Sequence, residues 1–161
     1  KDSIIFGNLP YNISSQILVK FIKFKKWPPK YSDLIFMFQK EVADKILSKS
    51  YGRLSIIANY RLKSLSKFDV SANCFFPRPK VTSTVIHLIP IKKINYNIKN
   101  IENLEFITNK FFSSKRKKIN KKIKEIFNSE QIIKFKNLNL NDRPSDLKKE
   151  FYYQAVEIYE S

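Results

Sequence analysis

Ile4-Ile5-Phe6-Gly7-Asn8-Leu9-Pro10-Tyr11-Asn12-Ile13-Ser14 is the stretch on which the reading of this chain turns. Ile4 to Phe6 is a short continuous apolar run, the mark of a fully buried strand, and Gly7 is where that strand is expected to break. Asn8, Leu9, Pro10 and Tyr11 follow in tight succession. From Ser14 onward, apolar residues recur at Ile17, Leu18, Phe21 and Ile22, which is helical spacing with Ser14 as the expected N-cap. This order puts the loop just beyond the carboxyl end of a strand, where open α/β sheets bind ligands. Its groups suit an amino-purine. The Asn8 side-chain oxygen beside free backbone carbonyls accepts from an exocyclic amine, and the Tyr11 ring offers a flat face for stacking. The plainer reading is a strand-to-helix turn, in which Gly, Asn and Pro are common anyway.

Working outward, the first helix is expected to run to about Lys25 and to stop at Pro28-Pro29, with Phe24 and Trp27 as core or domain-contact residues. Leu34 to Phe38 reads as a second buried strand, and Val42, Ala43, Ile46 and Leu47 as one face of a second helix. Strand, helix, strand, helix predicts parallel α/β pairing. Lys49 to Ser55 reads as a loop into a helix over Leu54 to Tyr60, followed by an outer strand over Leu65 to Val70. Cys74-Phe75-Phe76-Pro77-Arg78-Pro79-Lys80-Val81 is a rigid extended loop, because each proline fixes its own φ and restricts its predecessor. It feeds a strand over Thr82 to Pro90, rich in β-branched residues. His87 in that run is read as a residue on one strand face rather than a ligand or base. Ile91 to Asn100 has little pattern and reads as a linker. Beyond it helices are predicted over Leu104 to Phe112, Lys115 to Phe127 and Ser129 to Lys136. A last helix is signalled by Arg143-Pro144-Ser145-Asp146-Leu147, with Ser145 as its cap.

Composition narrows the function. The 161 residues, 43% of them apolar, make one modest domain or parts of two. No run of 18 apolar residues and no signal-peptide pattern is present. Cys74, the single cysteine, excludes an internal disulfide framework and a Cys-rich metal site, and agrees with a reducing compartment. The chain carries 31 basic and 14 acidic residues, a net charge of +17, which points to a polyanionic partner and most economically to nucleic acid. Nearly all the basic residues are lysine and the chain is also rich in Ile and Asn, so compositional drift is an alternative source of that charge. Between Lys110 and Lys124 there are eight Lys/Arg residues and no acid. The chain opens at Lys1, one step before a strand, and a further segment upstream is expected.

The string Asn8-Leu9-Pro10-Tyr11-Asn12-Ile13-Ser14 resembles the target-base loop of the ribosomal RNA adenine N6,N6-dimethyltransferases, relatives of the erythromycin-resistance RNA methyltransferases. The blocks Phe36-Met37-Phe38-Gln39-Lys40-Glu41-Val42, Tyr51-Gly52-Arg53-Leu54-Ser55 and Phe75-Phe76-Pro77-Arg78-Pro79-Lys80-Val81-Thr82-Ser83 also resemble that family, in the same order. Phe111 or Phe112 with Lys115-Arg116-Lys117 is similar to a basic motif of its helical C-terminal domain. Arg143-Pro144-Ser145-Asp146-Leu147 is similar to a later turn, with Ser in place of Glu.

The resemblance implies an α/β fold: the C-terminal part of a Rossmann-like S-adenosylmethionine-dependent methyltransferase domain (residues 1–92), then a small all-helical domain that binds RNA (residues 93–161). It implies methyl transfer from S-adenosylmethionine to adenine N6 in small-subunit ribosomal RNA, with dimethylation of two adjacent adenines near the 3′ end. Asn8, Leu9, Pro10 and Tyr11 would form the catalytic loop, with the Asn8 oxygen and the Leu9 carbonyl accepting from the N6 amine and Pro10 stiffening the turn. Tyr11 would stack on the base, and Phe75, with Phe76 as the alternative, would cover its other face. Asn8 would also touch the cofactor, whose glycine-rich loop lies upstream of this region in the family. RNA backbone contacts are expected from Arg78, Lys80, Lys115, Arg116, Lys117, Lys118, Lys121 and Lys122, although a solvated helix face explains the last six equally well. A cytoplasmic, monomeric enzyme without a metal is expected. Two other readings stay open: a large-subunit RNA adenine methyltransferase of the erythromycin-resistance type, and a non-catalytic RNA-binding protein of ribosome assembly.

Overall fold

The computed structural model describes residues 3–48 and 52–161. The loop expected over Lys49, Ser50 and Tyr51 lies outside the described residues. Contacts divide the chain into two compact units, Lys1–Ser48 with Ala58–Lys93, and Lys49–Ile57 with Ile94–Ser161.

The first unit is built on a four-stranded sheet in the order β1-β2-β4-β3, with β1 Ser3–Asn8, β2 Tyr31–Gln39, β3 Leu62–Val70 and β4 Ser83–Pro90. β1 and β2 are parallel, as the alternation predicts, and are joined by α1 (Ser14–Ile22). β4 runs antiparallel to both of its neighbours. α2 (Lys40–Leu47) follows β2 directly, and α3 (Arg53–Arg61), of which residues up to Ile57 belong to the second unit, leads straight into β3. The core face of β2 carries Leu34, Phe36 and Phe38, none more than 1% exposed, beside Ile86 and Leu88 of β4. Phe21 of α1 lies with its ring centroid 5.4 Å from that of Phe36, so the helix packs on this face.

Four expectations about the first unit are corrected here. β1 is not fully buried: Ile4 is 56% and Phe6 71% exposed. Among the described residues β1 pairs on one side only, so a continuous apolar run marks an edge strand with one open face. The strand also continues through Gly7 to Asn8. An added Cβ on Gly7 would stand 2.8 Å from the Phe36 ring and 2.8 Å from the Leu9 side chain, so glycine serves close packing here and not chain reversal. Gly7→Ala must therefore displace a core phenylalanine. It is expected to cost about 1–3 kcal/mol, read as a lowered thermal midpoint; an unchanged midpoint would mean that Phe36 yields freely.

Finally, α1 ends at Ile22, short of Lys25, and Ser14 is its first residue, following Ile13 as N-cap. The Arg61 guanidinium donates to the carbonyl oxygens of Ile22 (2.7 Å) and Phe24 (2.9 Å), giving these end-of-helix acceptors a partner before the prolines are reached. That guanidinium lies 4.7 Å over the Trp27 ring, whose indole N–H donates to the Ile91 carbonyl. Trp27 is thus a packing residue.

The second unit is helical, with α4 Ile101–Phe112, α5 Asn120–Ile126, α6 Ser129–Ile133 and α7 Lys149–Tyr159. Its core joins Leu104, Ile107 and Phe111 of α4 to Tyr152, Ala155 and Val156 of α7. The expected helix over Lys115–Phe127 begins only at Asn120, because residues 113–117 form turns. Ser145 caps nothing. Its segment is a turn closed by the Asp146 N–H on the Arg143 carbonyl (2.9 Å), and the buried Tyr152 hydroxyl donates to the Pro144 carbonyl at 2.6 Å. Burial pushes the Tyr152 pKa up, with Asp146 adding to the effect. The patternless segment before α4 is no free linker. The Glu157 carboxylate accepts from the Asn97 N–H, and that of Glu160 accepts from the N–H groups of Lys99 and Asn100. Those bonds are satisfied by residues sixty positions away in sequence, which explains why the stretch has no local periodicity.

Candidate active site

Asn8 is the last residue of β1, paired with Met37 of β2, and its side chain is exposed at the carboxyl end of the strand. Leu9 is half-buried and Pro10 exposed. The turn is closed by the Ile13 N–H on the Pro10 carbonyl (3.1 Å), and Ser14 Oγ donates to the Tyr11 carbonyl at 3.2 Å. Ser14 is 1% exposed, so the helix start and the loop are tied at one buried point. The Pro10 and Tyr11 carbonyls thus already accept hydrogen bonds, and the exposed Asn8 amide stands at the end of a strand held by its ladder. Its side-chain oxygen is an acceptor.

Tyr11 is fixed at its other end too. Its hydroxyl lies 2.5 Å from Ser83 Oγ, at the first residue of β4. Ser83 belongs to the block recognised by its resemblance, yet sequence reasoning assigned it no role. The available signal was a small hydroxyl residue at the mouth of a strongly apolar strand. Next to it, Thr84 Oγ1 donates to Asp69 Oδ1 at 2.7 Å, and the Lys40 ammonium pairs with the same carboxylate. Hydrogen bonds from Lys40 and then Thr84 hold the Asp69 pKa below the usual carboxylate range. These bonds stitch together the ends of β2, β3 and β4, where the loop's anchor sits.

The aromatic pair splits in the structure. Phe75 follows the 3₁₀ turn Ala72–Cys74 and is half-buried, whereas Phe76 is fully exposed. Neither ring contacts Tyr11 in the described structure. Arg78 and Lys80, on the same loop, are exposed. In the second unit, Lys115, Arg116 and Lys117 are exposed on the turn after α4 rather than on a helix. Lys121 is exposed on α5. Lys118 donates to Asn141 Oδ1 at 2.9 Å, and Lys122 pairs with Glu125 at 2.9 Å, so these two ammonium groups already have partners. His87 lies on β4 with Nε2 2.6 Å from Asp33 Oδ1, in a cross-strand pair that serves the sheet. Among the described residues no cluster of His, Cys, Asp or Glu could hold a metal ion, and no helix is long and apolar enough to cross a membrane.

A parallel strand pair joined by a helix, with a polar-aromatic loop just beyond the first strand, is an α/β domain of the kind that binds ligands at the carboxyl ends of its strands. A family model described as ribosomal RNA adenine dimethylase matches residues 1–161, and the chain belongs to that family. It is 39% identical to ribosomal RNA small subunit methyltransferase A of Pelagibacter ubique, over 97% of this chain and 61% of the relative. It is 43% identical to the protein of the same name from Buchnera aphidicola, over 81% of this chain and 50% of that one. The chain thus spans about half to three-fifths of the curated relatives it matches. Among solved structures, a dimethyladenosine transferase from Plasmodium falciparum superposes with a TM-score of 0.76 at 22% identity, covering 99% of this chain and 67% of that one. The 23S rRNA methyltransferase ErmE superposes with a TM-score of 0.68 at 17% identity, covering 100% and 66%. The fold is Rossmann-like, as the resemblance implied, followed by helices.

Proposed function

We propose that this chain forms the target-base half of an enzyme that transfers methyl groups from S-adenosylmethionine to N6 of adenines in small-subunit ribosomal RNA. Two adjacent adenines near the 3′ end are the proposed substrate, each taken to the dimethylated state by a monomeric protein in the cytoplasm. The observation that carries this reading is the Asn8–Tyr11 loop at the carboxyl end of β1, with its tyrosine tied at both ends. Curated relatives bearing the small-subunit name support it over the large-subunit alternative.

When bound, S-adenosylmethionine supplies an electrophilic methyl group. Adenine N6 is a weak nucleophile because its lone pair is delocalised into the ring. The Asn8 side-chain oxygen and the Leu9 carbonyl accept its two N–H bonds and favour a tetrahedral nitrogen. Acceptors fixed before the reaction cost no reorganisation during it. Pro10 restricts the turn that presents them. Tyr11 stacks on the extruded base, with Phe75 over the other face, each contact worth roughly 1–3 kcal/mol. The exposed Asn8 amide fits a polar contact to the cofactor as well. Residues 93–161 form the RNA-binding helical part, with Lys115, Arg116, Lys117 and Lys121 at the phosphates, aided by Lys118 and Lys122, and with Arg78 and Lys80 beside the base.

The test is methyl transfer by the protein as its complete gene encodes it, using labelled S-adenosylmethionine and undermethylated small subunits. N6,N6-dimethyladenine is the expected product. Its absence would sink the reading, and labelling of large subunits alone would favour the other RNA.

A further inference from the structure

We propose that Ser83 is a positioning residue that sets the orientation of the Tyr11 ring; this rests on the reading of the Asn8–Tyr11 loop as the target-base site. The two hydroxyl oxygens are 2.5 Å apart although the residues are 72 positions apart in sequence. Ser83 is 0% exposed. A buried hydroxyl without a partner costs free energy that an apolar residue of similar size avoids, and Tyr11 is the side chain that answers it. Thr84, the next hydroxyl along β4, is already bonded to Asp69.

The two ends of this bond differ in rigidity. Ser83 lies in register with Gln39 of β2 on one side and Val70 of β3 on the other, and the Lys40 N–H donates to the Thr82 carbonyl at 3.0 Å beside it. Its backbone is held from both edges. Tyr11 lies in a turn, where the bond from Ser14 fixes its carbonyl but leaves the ring free to swing about the side-chain torsions. The hydroxyl bond removes that freedom. A ring held in one plane stacks on an extruded base without first paying to order itself, and small misplacements of a positioned base are costly in rate. The bond joins two hydroxyls, either of which can donate. Its role is orientation.

A double-mutant cycle in the complete protein tests this. Ser83→Ala and Tyr11→Phe, which each remove one hydroxyl, are expected to lower kcat by about tenfold, with KM for undermethylated subunits within about twofold. The double variant should be no slower than either single one, because both remove the same bond. Ser83→Thr, which keeps a hydroxyl, should recover most of the rate. Multiplying effects in the double variant overturn the proposal, as does a lowered melting temperature with kcat intact. If Ser83→Ala does not fold, Tyr11→Phe decides: an unchanged kcat overturns it. A wild-type protein that methylates no small subunit removes the function itself and this role with it, whereas an active wild type with additive variants removes only the role.

Discussion

Tyr11→Ala in the complete protein is expected to lower methyl transfer by about 10- to 100-fold while weakening RNA binding less than about threefold. The first figure follows from losing one face of the base platform, roughly 1–3 kcal/mol, all of it needed only when the adenine is out of its stack. The second follows because affinity for a polyanion comes mainly from phosphate contacts, which the proposed stacking role of Tyr11 does not involve. Truncation also removes the hydroxyl that meets Ser83, so the loop loses its tie to β4. Phe75→Ala is expected to share the defect and Phe76→Ala to spare the rate. The reverse order would move the second stacking face to Phe76, whose ring is fully exposed. Single-turnover methylation and filter binding on the same RNA separate these outcomes. Equal losses in rate and affinity would make Tyr11 a structural residue.

Replacing Lys117 and Lys121 together by alanine is expected to weaken RNA binding by about tenfold or more near physiological salt. The plot of log affinity against log salt should flatten by about 1.4–1.8 units, since each phosphate contact contributes roughly 0.7–0.9. Both side chains are exposed. The matching change at Lys118 and Lys122 should have a smaller effect, because one ammonium already bonds Asn141 and the other Glu125. An unchanged slope in the first variant would return these lysines to a solvated surface.

What could be read in advance follows from how local each signal is. β2 and β4 were legible because their runs of apolar and β-branched residues are buried in the middle of the sheet, where composition and environment agree. β1 carries the same kind of run, but Ile4 and Phe6 lie on one face of it, which is left uncovered among the described residues. No local pattern encodes that. The end of α1 was misplaced since its carbonyls are satisfied by Arg61, a residue outside the window that periodicity surveys. In the second unit, Ser145 has the chemistry of a cap, but the turn it sits in is closed by Asp146 and Tyr152. The loop residues Asn8 to Tyr11 were legible as a group because they adjoin in sequence. Ser83 had no assigned role because its partner is distant.

That distance also bears on assembly during synthesis. The anchor for Tyr11 lies 72 residues further along the chain and at the start of β4, the strand that joins β2 to β3. A nascent chain that has made the whole Asn8–Ser14 string, and even β2 beside it, still has no fixed tyrosine. The Tyr11–Ser83 bond forms only when β4 inserts, so fixing the ring and completing the sheet become one event. A chain stopped before Ser83 would carry the whole Asn8–Ser14 string with its tyrosine unanchored.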